Sequence, residues 1–202
     1  MTDFTTVKQN LEQRGFAVST FATAAEAADY LSQSIRGKTV SFGGSVTLDQ
    51  LGMFDRLVQE NTVYSHWHPI EGMSADELRQ RSMTTQVYLT SANGLAETGE
   101  IINIDGTGNR VAATLFGHET VYFVIGRNKL APDYDAALWR ARNIAAPKNA
   151  QRLGMPTPCA AKGDRCYDCK SPKRICRGLV VLWEAVKSCR TEVVLVDEEL
   201  GY

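Results

Sequence analysis

An α/β layer architecture is what this 202-residue sequence predicts, and three observations carry the prediction. Helical periodicity and short β-branched or aromatic runs alternate through the first 130 residues. Three capping-box patterns mark helix starts among those runs. Hydrophobic residues make up 44 % of the chain, enough for the core of one domain of ordinary size. Residues 1–202 therefore read as a single α/β domain, with a cysteine-rich metal-binding segment, residues 155–178, inside it.

Thr5 to Arg14 has the pattern of a short amphipathic helix stopped by Gly15, and Phe16 to Phe21 alternates like a strand. Thr23-Ala-Ala-Glu26 is a capping box: the threonine side chain accepts an early helical amide and the glutamate reaches back. It opens a helix to about Ile35, ended by Gly37. Lys38 to Phe42 reads as a strand, followed by Gly43-Gly44-Ser45-Val46-Thr47 and a second capping box, Thr47-Leu-Asp-Gln50. A strand over Thr62 to Ser65 and a third box, Ser74-Ala-Asp-Glu77, continue the alternation. Gln86 to Thr90, Glu100 to Ile104 and Thr120 to Ile125 are strand-like, and Asp133 to Gln151 is helical in pattern. Leu179 to Trp183 and Glu192 to Val196 read as strands of a late hairpin or sheet edge.

Net charge is −1, which argues against sequence-independent nucleic-acid binding. The balance is uneven along the chain: 8 basic and 14 acidic side chains in residues 1–126, then 14 and 5 in residues 127–190. The basic third coincides with the cysteines, where it either forms a solvated surface, compensates an anionic centre or meets an acidic partner. The first residues lack a basic stretch followed by an apolar one, and no run approaches the ~20 apolar residues of a membrane span. A cytoplasmic protein with no membrane span is expected.

Four of the five cysteines fall in one window, Cys159, Cys166, Cys169 and Cys176, spaced C-x6-C-x2-C-x6-C. A C-x2-C pair can turn two sulfurs toward one point, and flanking cysteines on short loops can complete a four-thiolate shell. Lys162, Arg165, Lys170, Lys173, Arg174 and Arg177 supply the positive charge that thiolates need. The window predicts a metal site. An iron-sulfur cluster, of the four-iron type, is the first choice and zinc the alternative, since the ligand set alone does not separate them. Disulfides would need an oxidising compartment. Cys189 reads as a plain thiol.

Other polar groups suggest a ligand site. Gly43, Gly44, Ser45 and Thr47 lie where a strand runs into a helix start, a turn whose amides and hydroxyls can hold a phosphate or carboxylate, or can simply make the turn. Asn93, Glu97 and Thr98 sit in an inter-strand loop, Ser91 to Gly99, with Glu97 as a candidate acid, base or nucleophile or, equally, an ion-pair partner. His66 and His68 flank Trp67, and with His118 they are the only histidines. His66 and His68 could present two imidazoles on one side of an extended segment, spaced for a metal or a proton relay, but read first as loop histidines satisfied by hydrogen bonds. Arg127, Asn128 and Lys129 follow a strand and could hold an anion or, equally, cap a helix or sit in solvent.

Four ordered stretches, Gly43 to Gly52, Ser91 to Gly99, Asn103 to Ala112 and Val124 to Lys129, together resemble the lactate utilisation (LUD) domain family, which includes lactate utilisation protein C. The likeness covers about residues 5 to 200. It implies a fold similar to the sugar-isomerase and coenzyme A transferase superfamily, a mainly parallel sheet flanked by helices. It also implies a link to bacterial L-lactate oxidation beside iron-sulfur and flavin-type partners. By resemblance, Gly43, Gly44, Ser45, Thr47, Asn93, Glu97, Thr98, Asn128 and Lys129 line the ligand face, and Cys159 to Cys176 looks like the segment of a cysteine-bearing branch.

Three functional readings follow. The first is a redox accessory protein whose cysteine site passes electrons within an oxidoreductase assembly. The second is an enzyme on a small anion or acyl-coenzyme A, using Glu97, with a structural zinc. The third is an interaction module whose basic region meets an acidic subunit.

Overall fold

The structure is a computed structural model that describes residues 2–202. Its main sheet has six strands, all parallel: β1 (Ala17–Phe21), β10 (Arg190–Val196), β7 (Thr120–Gly126), β4 (Val87–Thr90), β2 (Thr39–Phe42) and β3 (Thr62–Tyr64), in that spatial order. A second sheet of four strands runs β8 (Leu130–Ala131), β5 (Gly94–Ala96), β6 (Ile101–Asp105), β9 (Gly178–Leu182), with β6 antiparallel to both neighbours. The expected α/β architecture with a mainly parallel sheet is the observed one. Among the described residues no helix is long and apolar enough to cross a membrane.

Both faces of the main sheet are covered, which is why its central strands are mostly apolar. Alternate residues serve opposite layers. Tyr122 and Val124 of β7, with Val194 and Val196 of β10, pack on α2 (Ala24–Ser34) through Ala27, Ala28 and Leu31, and on α3 (Val46–Gln50) and α4 (Met53–Leu57). Val121, Phe123, Ile125, Val193 and Leu195 face the other way, toward α1 (Thr5–Gln13) and toward Leu95, Ile101 and Leu182 of the second sheet. The second sheet buries its far face, Ala96, Ile102 and Ala131, against Ala137 and Ala141.

That last contact is close. A Cβ on Gly94 would stand 2.5 Å from the carbonyl oxygen of Ala137, in the helix α7 (Tyr134–Arg140). A helix carbonyl cannot yield without dragging its turn, so Gly94→Ala should cost about 2–4 kcal/mol, read from urea unfolding. A cost below about 0.5 kcal/mol would show that α7 shifts freely off the sheet.

The capping boxes at Thr23 and Ser74 form as expected, the latter opening α5 (Ala75–Ser82). The middle one does not. Ser45 is the cap of α3, accepting from the Leu48 amide at 3.4 Å, and Thr47 lies inside the helix. The pattern Thr47-Leu-Asp-Gln50 lies two residues too late, because the Gly-Gly turn before it leaves Ser45 already extended (φ −145°) to take the cap. The expected helix over Asp133 to Gln151 is α7, a π turn (Ala141–Ala145) and α8 (Ala146–Arg152) in unbroken succession. Pro147, which has no amide hydrogen to give, stands just beyond the π turn.

The last two strands also differ in part from expectation. They form no hairpin: β9 is an edge strand of the second sheet, as one of the two readings had it, whereas β10 lies inside the main sheet, between β1 and β7. The run Thr-Glu-Val-Val-Leu-Val is buried on both faces, the mark of an interior parallel strand. Glu192, 1 % exposed, is accommodated by Ser19, Tyr30 and Arg190, all within 2.8 Å of its carboxylate.

Candidate functional site

Because the six strands are parallel, the loops after β2, β4, β7 and β10 all emerge on one edge, the edge where open α/β sheets carry their ligands. They surround a cleft of about 470 Å³. Gly44, Ser45 and Thr47 come from the first loop, Ser91 and Asn93 from the second, Lys129 from the third, and Gly201 and Tyr202 from the last. The second sheet adds Asp105 and α6 (Asn109–Ala113) adds Arg110, while α8 contributes Asn149 and Arg152.

Lys129 forms the floor and is 3 % exposed. Its Nζ donates to Thr47 Oγ1 and Ser91 Oγ, each at 2.8 Å. Those hydroxyls spend their own protons on backbone carbonyls, Thr47 on Leu200 at 3.3 Å and Ser91 on Val124 at 2.6 Å. No carboxylate among the described residues pairs with Lys129. Burial, then the charges of Arg140 and Arg110, holds its pKa well below that of an ordinary lysine. Arg140 is likewise buried and bonds only main-chain oxygens, those of Asn128 (2.8 Å), Asn93 (2.6 Å) and Tyr202 (3.2 Å). Burial lowers its pKa to about 10.

Arg110 is fixed by neutral acceptors. Its Nη1 meets Asn103 Oδ1, and its Nη2 donates to Ile104 O at 2.5 Å and to Asn93 Oδ1 at 3.2 Å. Asp105 is committed to backbone amides, Gly106 at 2.7 Å and Val111 at 3.1 Å. Opposite, the Arg152 guanidinium lies 5.1 Å over the Trp67 ring, and Gly44 allows that ring close: a Cβ there would be 2.7 Å from it. His66 has its pKa lowered by burial and by Arg79 beside it. The cleft thus combines Lys129, Arg110 and Arg152 with one side-chain carboxylate, Asp105, each of whose oxygens accepts one backbone amide.

Of the residues nominated from sequence, Gly44, Ser45, Thr47, Asn93 and Lys129 line this cleft. Gly43 lies behind it, its backbone so close to Tyr88 that a Cβ would meet the phenol oxygen at 2.6 Å. Asn128 turns away to brace the final residues, accepting from the Leu200 amide at 3.0 Å and donating to Gly201 O at 3.4 Å. Glu97 and Thr98 sit at the opposite side of the second sheet, against α1, where Asn10 and Arg14 bond their carbonyls at 2.7 Å. Neither lines the cleft. Arg110, Arg140 and Arg152 escaped the sequence reading. The signal for Arg140 is a cation on the same helix face as the core residues Ala137 and Ala141.

The four clustered cysteines surround a second, much smaller cavity of about 20 Å³, walled otherwise by Arg142, Ala146, Pro147, Ala150, Thr157, Arg174 and Ile175. Cys159 lies in the first turn of α9 (Pro158–Lys162), and Asp168, with φ 45°, makes the left-handed turn between Cys166 and Cys169. Cys166 Sγ accepts from the Asp168 amide at 3.3 Å, Cys176 Sγ from Arg174 at 3.4 Å, and the Thr157 hydroxyl lies 3.3 Å from Cys159 Sγ. All five cysteines are free thiols. The donor set suits a thiolate-bound centre, yet among the described residues no three metal-ligating side chains close on a common point. Cys189 stands apart in the second core layer. His68 stacks on Phe54 at 3.6 Å, and His118 is buried beneath Tyr88, bonded through Nδ1 to Thr85 O at 2.6 Å.

The two cavities share a wall. Ala146, Ile175 and Cys176 line both, and Gly106 brings the β6 loop so near that a Cβ there would stand 2.7 Å from the carbonyl oxygen of Ile175.

Comparison with known proteins agrees with this architecture. A DUF162 family protein from Deinococcus radiodurans superposes with a TM-score of 0.53 at 15 % identity, covering 97 % of this chain and 99 % of that one, which shows a shared fold. Ribose 5-phosphate isomerase A from Neisseria gonorrhoeae overlaps over 54 % of this chain and 53 % of its own, with a TM-score of 0.34 and 13 % identity, too partial a likeness to add to that. No curated protein matches the sequence. The family model described as the LUD domain matches residues 5–196, nearly the whole chain, and the protein therefore belongs to the LUD domain family, related to the lactate utilisation proteins.

Proposed function

We propose that the protein is a cytoplasmic redox accessory to the oxidation of L-lactate or a related organic acid, with a small carboxylate in the basic cleft and a four-cysteine iron-sulfur cluster beside it. The observation that carries the reading is the shared wall, since Ile175 and Cys176 belong to both the anion-binding cleft and the cysteine cavity. Cys159, Cys166, Cys169 and Cys176 would hold the cluster, which supplies one-electron transfer when bound. The chain's own part is to neutralise and orient. Arg110 and Arg152 attract the carboxylate, and the Arg174 and Asp168 N–H groups donate to sulfur, which stabilises negative charge there. Free thiols suit a reducing compartment. Exposed Trp139 beside Arg142 and Arg165 gives an oxidoreductase subunit a place to dock.

Glu97 serves this reading only as a loop residue, because the cleft lies elsewhere. The test is elemental analysis after purification without oxygen. Iron and acid-labile sulfide should be present, with broad visible absorbance that dithionite bleaches, and Cys169→Ser should abolish both. A colourless protein carrying one zinc would overturn the redox reading and leave the cysteines as a staple for the C-terminal region.

A further inference from the structure

Lys129 has more to offer than charge. Its two hydroxyl partners each have one proton, and both protons already go to carbonyls, so Thr47 and Ser91 can only accept from the lysine. A neutral amine has two N–H bonds to give and one lone pair left. The surroundings therefore satisfy an amine fully, whereas a third ammonium proton would find no acceptor among the described residues. Gly201 packs against the same nitrogen, where a Cβ would stand 3.2 Å from it, which keeps bulk water from that side. The low pKa that burial, Arg140 and Arg110 impose points the same way.

We propose that Lys129 is a nucleophilic amine that condenses with a 2-oxo carboxylate held in the cleft, giving an imine. The Nζ lone pair adds to the carbonyl carbon, the carbonyl π pair moves to oxygen, and a proton passes from nitrogen to that oxygen. The C–O bond then breaks, the remaining N–H proton is lost, and one water leaves, so no oxidant or reductant enters. Arg110 and Arg152 hold the carboxylate end of the same molecule. A 2-oxo carboxylate is what a 2-hydroxy acid becomes on oxidation, so the inference deepens the reading of the cleft and rests on its being a carboxylate site. It is independent of any metal at the cysteines.

The test is reductive trapping with pyruvate as probe. The protein is incubated with pyruvate and borohydride, its intact mass is measured, and the adduct is located by peptide mapping. One reduced adduct should form on Lys129, in preference by about tenfold or more over surface lysines, since each unit of pKa depression raises the neutral fraction about tenfold. Lactate, which has no ketone, should give none, and acetone, which has no carboxylate, far less than pyruvate. Lys129→Arg should lose the label. Pyruvate binding, measured separately by calorimetry, distinguishes the failures. Binding without a Lys129 adduct, or label spread evenly over lysines, overturns the nucleophile and leaves the cleft reading standing; absence of binding by both pyruvate and lactate overturns both.

Discussion

Arg110→Met should abolish binding of small carboxylates and destabilise the fold by about 2–4 kcal/mol, because each buried acceptor left without a donor costs about 1–3 kcal/mol. The guanidinium bridges Asn103 and Ile104 of β6 to Asn93 of the loop before β5, and Asn103 is 3 % exposed. Methionine fills the space but satisfies none of the three oxygens. Arg110→Lys should recover part of the binding and little of the stability, since a single ammonium cannot reproduce a planar fork aimed at several acceptors. Calorimetric titration with pyruvate and urea unfolding report the two effects separately. Unchanged affinity in Arg110→Met would mean that the cleft does not recognise anions through this residue.

Lys129→Met should do the opposite to stability, raising it by about 1–3 kcal/mol at neutral pH while removing the amine. For a chain of this length that is a rise of several degrees in melting temperature. The pH dependence identifies the cause. The folded pKa of Lys129 lies below the value of about 10.5 it has when unfolded, so between the two the unfolded state binds more protons and wild-type stability climbs with pH. Below the folded pKa the penalty is complete; above about 10.5 it has gone. The advantage of the variant should therefore be greatest below the folded pKa and shrink as pH rises through it toward about 10.5. A variant less stable than wild type throughout would show that the hydroxyl bonds to Lys129 outweigh the cost of its burial.

The layered architecture was legible because capping boxes and β-branched runs are local patterns, and most strands and helices of the first 100 residues fall where those patterns put them. What escaped depends on distant pairing. β8 is two residues long and exists only because Leu130 and Ala131 meet Leu95 and Ala96. The placement of β10 was missed although its unbroken apolar run carries the information, because two strand-like segments close in sequence also suggest a hairpin. At the site, the glycine turn and Lys129 could be nominated from the ends of strands, whereas Arg110, Arg140 and Arg152 derive their importance from what folding places opposite them. Glu97 looked chemical in sequence for the reason it is ordinary in space: a polar loop between two strands can open toward either side of the sheet, and this one opens toward α1.

The insertion of β10 between β1 and β7 has a bearing on how the chain is made. A strand encoded by residues 190–196 occupies the gap between one encoded by residues 17–21 and another encoded by residues 120–126, so the ribosome releases the flanks long before the piece that joins them. Until then, β1 and β7 each present an open row of amides and carbonyls to the cell. Exposure of those unpaired edges during synthesis is a hazard that the strand order itself creates.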